Sequence, residues 1–182
     1  MLRVAILADT HGHLDPRVAE LAATCDIAVH GGDIGSAGVL TALQPRSGRV
    51  IAVLGNNDVP GKWPIDERDL VGAVPEVAEV ELPGGTLIAI HGHQLLAADR
   101  HNRLRRRFRH ARAIVYGHSH RLMADQDTIP WILNPGAAGR ARTYGGPSCM
   151  ILSACKHGWM LRVERFDAIK RKHRAVAQDG AA

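Results

Sequence analysis

The feature that most constrains this chain is a repeated pairing of a short, nearly all-apolar run with polar side chains at its end. "LRVAILA" (residues 2 to 8), "DIAVHGG" (26 to 32) and "RVIAVLG" (49 to 55) are such runs, each closed by a polar or glycine-rich turn. A strand apolar on both faces is covered on both faces, which is the habit of parallel sheets flanked by helices. Between the runs, "PRVAELAAT" (16 to 24) opens with a proline suited to a first helical turn, and "SAGVLTALQ" (36 to 44) takes Ser36 as its cap. The order is βαβαβ. It predicts a parallel sheet whose ligands gather at the carboxyl ends of its strands.

Past residue 75 the pattern changes. "VAEVEL" and "TLIAIHG" flank the turn "PGG" as the arms of a hairpin would. A basic helical stretch, 97 to 110, leads into "RAIVYG", another buried strand. "RLMADQ", "PWILN", "SCMILSA" and "WMLRVERF" then read as successive strands of a largely antiparallel second sheet. Residues 167 to 182 lose apolar periodicity, which predicts a flexible basic tail behind a single domain spanning 1 to 166. With 182 residues, 46% of them hydrophobic, the chain can build one sizeable core, whereas two independent domains would be cramped.

The formal charge of +5 suggests nucleic acid, but its distribution argues otherwise. Over residues 168 to 182, Lys170, Arg171, Lys172 and Arg174 against Asp179 give a net +3, leaving +2 for everything before them. The second cluster, Arg103, Arg105, Arg106, Arg107 and Arg109, reads as the solvated face of a helix, since no aromatic side chains are interleaved to stack on bases. Nucleic acid is therefore the less favoured partner. Cys25, Cys149 and Cys155 are odd in number and form no C-x-x-C pair, which argues against a disulfide framework or a structural zinc site. The opening run, Met1 to Ala8, is too short for a signal peptide or a membrane span, and no later run reaches that length. The expectation is a soluble cytoplasmic protein with no membrane partner.

Chemistry enters through position. Asp9 and His11 follow the first run, Asp33 the second and Asn56 the third, while His91, His118 and His120 follow later strands. Seven oxygen and nitrogen donors thus arrive from five segments. If the backbone stays extended, the period of two lets Asp9 with His11, and His118 with His120, point to one side, each pair serving one centre. Any one of these residues alone could be a turn former or a cap. Together, and without a cation, they would hold charged and polar groups at a desolvation cost with no compensating partner.

Rival motifs fail on their letters. "GNNDVPGKW" has five residues between its glycines and the wrong residue, Trp63, where a phosphate-binding loop needs Ser or Thr. "GHSHR" lacks the closing glycine of a nucleophile elbow, so Ser119 is not read as a nucleophile. H-E-x-x-H and a G-x-G-x-x-G behind the first strand are both absent.

In this order and spacing, "DTHG", "GGDIG", "GNND", "HGH" and "GHSH" resemble the calcineurin-like metallophosphoesterase superfamily, and most of all its small bacterial and archaeal phosphodiesterase branch. The resemblance covers roughly residues 1 to 155. It implies an α/β fold, a four-layer αββα sandwich of two mixed β-sheets flanked by helices. It also implies a two-metal site: Asp9, His11 and His120 on one ion, Asn56, His91 and His118 on the other, and Asp33 bridging them. The reaction so implied is hydrolysis of a phosphate ester by in-line attack of a hydroxide shared by two divalent ions. Manganese is the first choice, with nickel, iron, cobalt and zinc also suited to Asp, His and Asn donors. The substrate would be a small phosphodiester or phosphomonoester, and the letters leave the oligomeric state open, a dimer included.

Two departures from the superfamily pattern matter. Many members carry histidine after the metal-binding asparagine, but this chain has Asn57, which donates a hydrogen bond and not a proton. His93 is then the leading candidate for a catalytic acid, with His13 and His30 behind it, each with a ligand-orienting role as the alternative. Asp58 reads as a residue that orients a ligand. "NPGAAGR" resembles the branch's "NPGS" block with Ala137 in place of serine. The readings that compete with a small-ester phosphoesterase are a protein-interaction scaffold on the same fold, like the retromer subunit, and a nuclease.

Overall fold

The computed structural model describes residues 1–168. Its strands are β1 (Leu2–Leu7), β2 (Ile27–His30), β3 (Val50–Ala52), β4 (Val77–Leu82), β5 (Gly85–Ile90), β6 (Ala113–Val115), β7 (Met123–Asp125), β8 (Trp131–Asn134), β9 (Ser148–Cys155) and β10 (Gly158–Arg165). The helices are α1 (Pro16–Ala23), α2 (Ala37–Ala42), α3 (Arg68–Val71) and α4 (Arg100–Arg107). One sheet runs β10-β9-β1-β2-β3 and the other β4-β5-β6-β8-β7.

Strand alternation builds the layers. In β1, Val4 and Ile6 face the second sheet, where they meet Leu87, Ala89, Val115 and Leu133 in one apolar cluster. Their neighbours Ala5 and Leu7 point the opposite way, onto Val18 and Ala22 of α1. On the far side, Ile88, Ile90, Ile114 and Ile132 are covered by Leu104 and Phe108, from and just after α4. Helix, sheet, sheet, helix is the resulting order, as the resemblance implies. α4 is mostly arginine, and Leu104, with no exposed surface, is its anchor; burial of such a side chain contributes about 2 kcal/mol.

Three readings of the sequence are corrected. "SCMILSA" and "WMLRVERF" do not extend a second sheet: β9 pairs antiparallel with β1, and β10 with β9, on the edge of the first. The second sheet is not largely antiparallel either, since β6 lies parallel to both β5 and β8. Ser36 makes no side-chain cap bond on α2. The free N–H of Ala37 donates instead to Glu67 Oε2 at 2.7 Å, a long-range carboxylate doing what a local hydroxyl would do.

The arginine cluster divides. Arg103, Arg106, Arg107 and Arg109 are exposed, whereas Arg105 donates to Asp125 at 2.8 Å and to the Pro130 carbonyl at 3.1 Å. Cys25 and Cys149 are buried thiols and Cys155 is half-buried, all unbridged. Among the described residues, no helix is long and apolar enough to cross a membrane. The basic cluster at 170 to 174 and nearly all of the expected tail lie outside the described residues.

Candidate metal centre

The parallel strands of both sheets deliver their carboxyl ends to one place. β1 leads to Asp9, β2 to Asp33, β3 to Asn56, β5 to His91 and β6 to His118 and His120. Backbone bonds stitch the loops together: Asp9 N–H donates to Gly32 O and His11 N–H to Asp33 O, both at 2.9 Å, and Gly117 N–H to His91 O at 3.2 Å.

The candidate ligand side chains do not converge by strand alternation. Asp9, His11, Asp33, His118 and His120 all have left-handed backbone, with φ between 48° and 66°. That conformation is uncommon outside glycine and several-fold enriched in Asp and His, the residue types found here. The loops carrying these five residues therefore bend sharply at them. The bend also splits His118 from His120, so that pair does not serve a single centre.

Two donor clusters result. In the first, His11 Nε2 lies 3.1 Å from His120 Nε2, and His120 Nε2 lies 3.4 Å from Asp9 Oδ1. In the second, Asn56 Oδ1 lies 3.2 Å from His91 Nε2 and 2.9 Å from His118 Nδ1. Asp33 Oδ2 stands between them, 3.7 Å from His11 Nε2 and 3.4 Å from His91 Nε2. Donors placed ~2.1 Å from a shared cation sit roughly 3.0 to 3.4 Å from one another, close to the separations found here. Asp9, His11, Asp33 and His120 offer atoms that all lie within 4.8 Å of each other.

The electrostatics fit a cation as well. Asp9 is fully buried, its Oδ2 has no hydrogen-bond partner, and burial pushes its carboxyl up to about 7. Burial outweighs His91, the His118 N–H on Oδ1 and Arg142, so without a cation the protonated form of Asp9 is favoured. Burial, reinforced by Arg142 and His11, holds His120 down at about 4, and burial likewise lowers His11 and His118. These imidazoles are neutral, the form that binds metal. Burial disfavours the charge on Asp33, but His91 and the donors of Asn57 outweigh it and hold the carboxyl well below its ordinary range. The same contact raises His91 against the opposing effect of burial.

Supporting residues fix these groups. Asn57 donates from its backbone to Asp33 Oδ1 at 2.8 Å and from its side chain to Asp33 Oδ2 at 2.7 Å. Lys62 holds the Asn57 carboxamide by donating to its Oδ1 at 2.6 Å. Asp58 touches no ligand side chain. It accepts the backbone N–H groups of Ile34, Gly35 and Gly55 and the indole N–H of Trp63, tying the loop after β2 to the loop after β3. A side chain at Gly55 would collide with Asp33, so only glycine lets that carboxylate enter. Asn134 donates to Gly117 O at 2.9 Å and to Ser119 Oγ at 3.0 Å, shaping the turn that carries His118 and His120.

The acid candidates separate. His93 stands beside the second cluster, its ring centroid 5.5 Å from that of His91 and 6.3 Å from that of His118, and burial with His91 lowers its pKa. His13 is half-buried on the first loop and likewise lowered, by burial and then Arg140. His30 is a packing residue. It is fully buried, accepts from Gly32 N–H at 3.2 Å through Nδ1, and its Nε2 lies 2.9 Å from Thr10 Oγ1, whose hydroxyl donates to Ile34 O. Arg142 is an unforeseen neighbour of the site: its Nη2 lies 3.0 Å from His11 Nε2. The rule that strand ends carry site residues, applied to β8, would have pointed to its loop.

Residues 2–157 match the family model described as the calcineurin-like phosphoesterase superfamily domain. Among solved structures, a single mutant of Vps29 from Entamoeba histolytica is 17% identical, with a TM-score of 0.72, covering 91% of this chain and 99% of its own. A conserved protein from Streptococcus pneumoniae described as a predicted phosphoesterase is 20% identical, with a TM-score of 0.61, covering 90% and 89%. A structure titled as a novel archaeal phosphodiesterase is 21% identical, with a TM-score of 0.66, covering 90% and 100%. No curated protein matches.

Proposed function

Because the chain belongs to the calcineurin-like phosphoesterase superfamily, we propose that it is a binuclear metal-dependent phosphoesterase acting best on small phosphodiesters with good leaving groups. The observation that carries this reading is Asp33 Oδ2, one carboxylate oxygen 3.4 Å from a donor of one cluster and 3.7 Å from a donor of the other. Asp9, His11 and His120 would hold one ion, Asn56, His91 and His118 the second, with Asp33 shared. Manganese suits this oxygen and nitrogen set, as do nickel, iron, cobalt and zinc.

When bound, such a pair supplies an activated water for attack on phosphorus and neutralises charge on the phosphoryl oxygens. The chain's own residues account for the rest. Asp33 places negative charge between the two donor clusters, offsetting repulsion between cations. The neutral imidazoles and the Asn56 carboxamide add none, so the loaded site stays positive and attracts an anionic ester. Asn57 and Lys62 keep the shared carboxylate from turning. His93 is held neutral and Asn57 has no labile proton, so neither gives strong help to a poor leaving group.

The test is hydrolysis of bis(p-nitrophenyl) phosphate and p-nitrophenyl phosphate after chelation and readdition of Mn²⁺. Diester turnover should return with metal and fall by about 100-fold or more in Asp33→Asn. Turnover indifferent to both chelation and Asp33→Asn would overturn the proposal. Metal binding with no turnover on any ester would favour the interaction scaffold.

A further inference from the structure

We propose that Arg142 is the residue that grips a non-bridging oxygen of the substrate's phosphoryl group, an inference that rests on the phosphoesterase reading and names the subsite it needs. The loop between β8 and β9 carries it. Arg142 Nη2 approaches His11 Nε2 at 3.0 Å, at the edge of the first donor cluster. A guanidinium has five N–H donors and no acceptor. Among the described residues, Arg142 makes no ion pair, and His11 is its one hydrogen-bond partner. Metal on His11 Nε2 would displace this bond and leave the guanidinium beside the ion, where an anion shared by both would pair it.

The loop is built to hold it there. Ala138 N–H donates to Ala8 O, and Asp15 N–H to Ala138 O, both at 2.9 Å, pinning its start to the loop that carries Asp9 and His11. A side chain at Gly139 would run into the Thr10 carbonyl, so the two backbones are in direct contact. The far end is fixed by Phe166 N–H donating to Pro147 O at 2.8 Å. Between these anchors, Arg142 and Tyr144 have left-handed φ of 53° and 37°. Neither is a residue type that favours this region, and each costs roughly 1 to 2 kcal/mol to hold there. The Arg121 guanidinium lies 5.4 Å from the centroid of the Tyr144 ring, joining this loop to the residue after His120. Strain maintained between two anchors, with a cation at its apex beside the site, is the arrangement of a preformed oxyanion contact.

Arginine is also the right cation for the task. Its planar fork binds two oxygens of a phosphoryl group at once, which a lysine ammonium cannot do. The ligand class is therefore a phosphoryl oxyanion, as ester or as inorganic phosphate.

The test measures inorganic phosphate binding by calorimetry, with and without Mn²⁺, on the wild-type protein and on Arg142→Ala and Arg142→Lys. Mn²⁺ affinity and thermal unfolding are measured on all three. Phosphate binding should weaken at least about 10-fold in Arg142→Ala and less in Arg142→Lys, while Mn²⁺ affinity is unchanged or rises because His11 loses a competing donor. With diester as substrate, kcat/KM should fall by about 100-fold in Arg142→Ala. The proposal is overturned if the wild-type protein binds no phosphate, if Arg142→Ala binds it equally well, or if its loss only tracks a loss of Mn²⁺. Phosphate binding that depends on Arg142 in a protein that hydrolyses no ester would sustain this subsite and defeat the hydrolase reading. Hydrolysis that Arg142→Ala leaves intact would do the reverse.

Discussion

Asn57 clamps Asp33 at both carboxylate oxygens, by its backbone N–H to Oδ1 at 2.8 Å and its carboxamide to Oδ2 at 2.7 Å. Where many superfamily members carry an imidazole, this chain uses the position to hold Asp33, the carboxylate between the two donor clusters. Groups that orient a metal ligand typically affect metal affinity or activity by 10- to 100-fold. Asn57→Ala should therefore weaken Mn²⁺ binding by about 10-fold or more, with the backbone donor to Oδ1 retained. Lys62→Ala, one bond further out, should have a smaller effect in the same direction. Titration of chelated protein with Mn²⁺ measures both, and a larger loss in Lys62→Ala than in Asn57→Ala would contradict the order of the relay.

Asp58 makes a different prediction, for stability. Its carboxylate satisfies four donors, three from backbone and one from Trp63, and it is almost wholly buried. Removing an acceptor of this kind leaves buried N–H groups unpaired, at a cost of about 3 kcal/mol or more. For a chain of this size that corresponds to a fall of roughly 6 to 12 °C in Tm. Asp58→Ala, melted in the presence of chelator, should show it. A Tm within 2 °C of wild type, a margin of about half a kcal/mol, would mean the donors find other partners.

The letters revealed which residues sit at strand ends, because burial on both faces forces an apolar run and the site begins where the run stops. They did not reveal how the ligands turn toward one another. His118 and His120, two apart, look like one face of an extended segment, yet left-handed backbone at both sends them to different clusters. Sheet membership was equally hidden. β9 pairs with β1, Ile6 opposite Met150, and nothing local in "SCMILSA" specifies which edge it will join. The same holds for Glu67 over α2 and Arg142 beside His11, contacts made across 30 and 131 residues of sequence.

Burial of His30 gives the metal-free protein an acid-sensitive component. The imidazole is held down at about 4 by burial, from an ordinary 6.5, so the unfolded chain binds a proton there that the native state refuses. Its stabilising contribution is complete above pH 6.5 and is lost as pH falls toward 4, at a limiting rate of about 1.4 kcal/mol per pH unit. Denaturant unfolding in chelator at several pH values should show a shallower decline toward acid in His30→Asn than in wild type. Parallel curves would place the acid sensitivity elsewhere.

Metal binding should release protons in a defined pH range. Without a cation, Asp9 is pushed up to about 7 by burial, and His91 is raised because Asp33 outweighs its burial. Both must lose a proton to act as ligands, whereas His120, held at about 4, is already neutral. Displacing the Asp9 proton should therefore lower Mn²⁺ affinity by about tenfold per pH unit below pH 7, and displacing the His91 proton steepens that fall. Calorimetry in buffers of different ionisation enthalpy counts the protons directly. At pH 6 at least one should leave for each protein saturated, and fewer in Asp9→Asn. Zero proton release at pH 6 would mean that Asp9 is ionised before the metal arrives, and that some other positive group already faces its unpartnered oxygen.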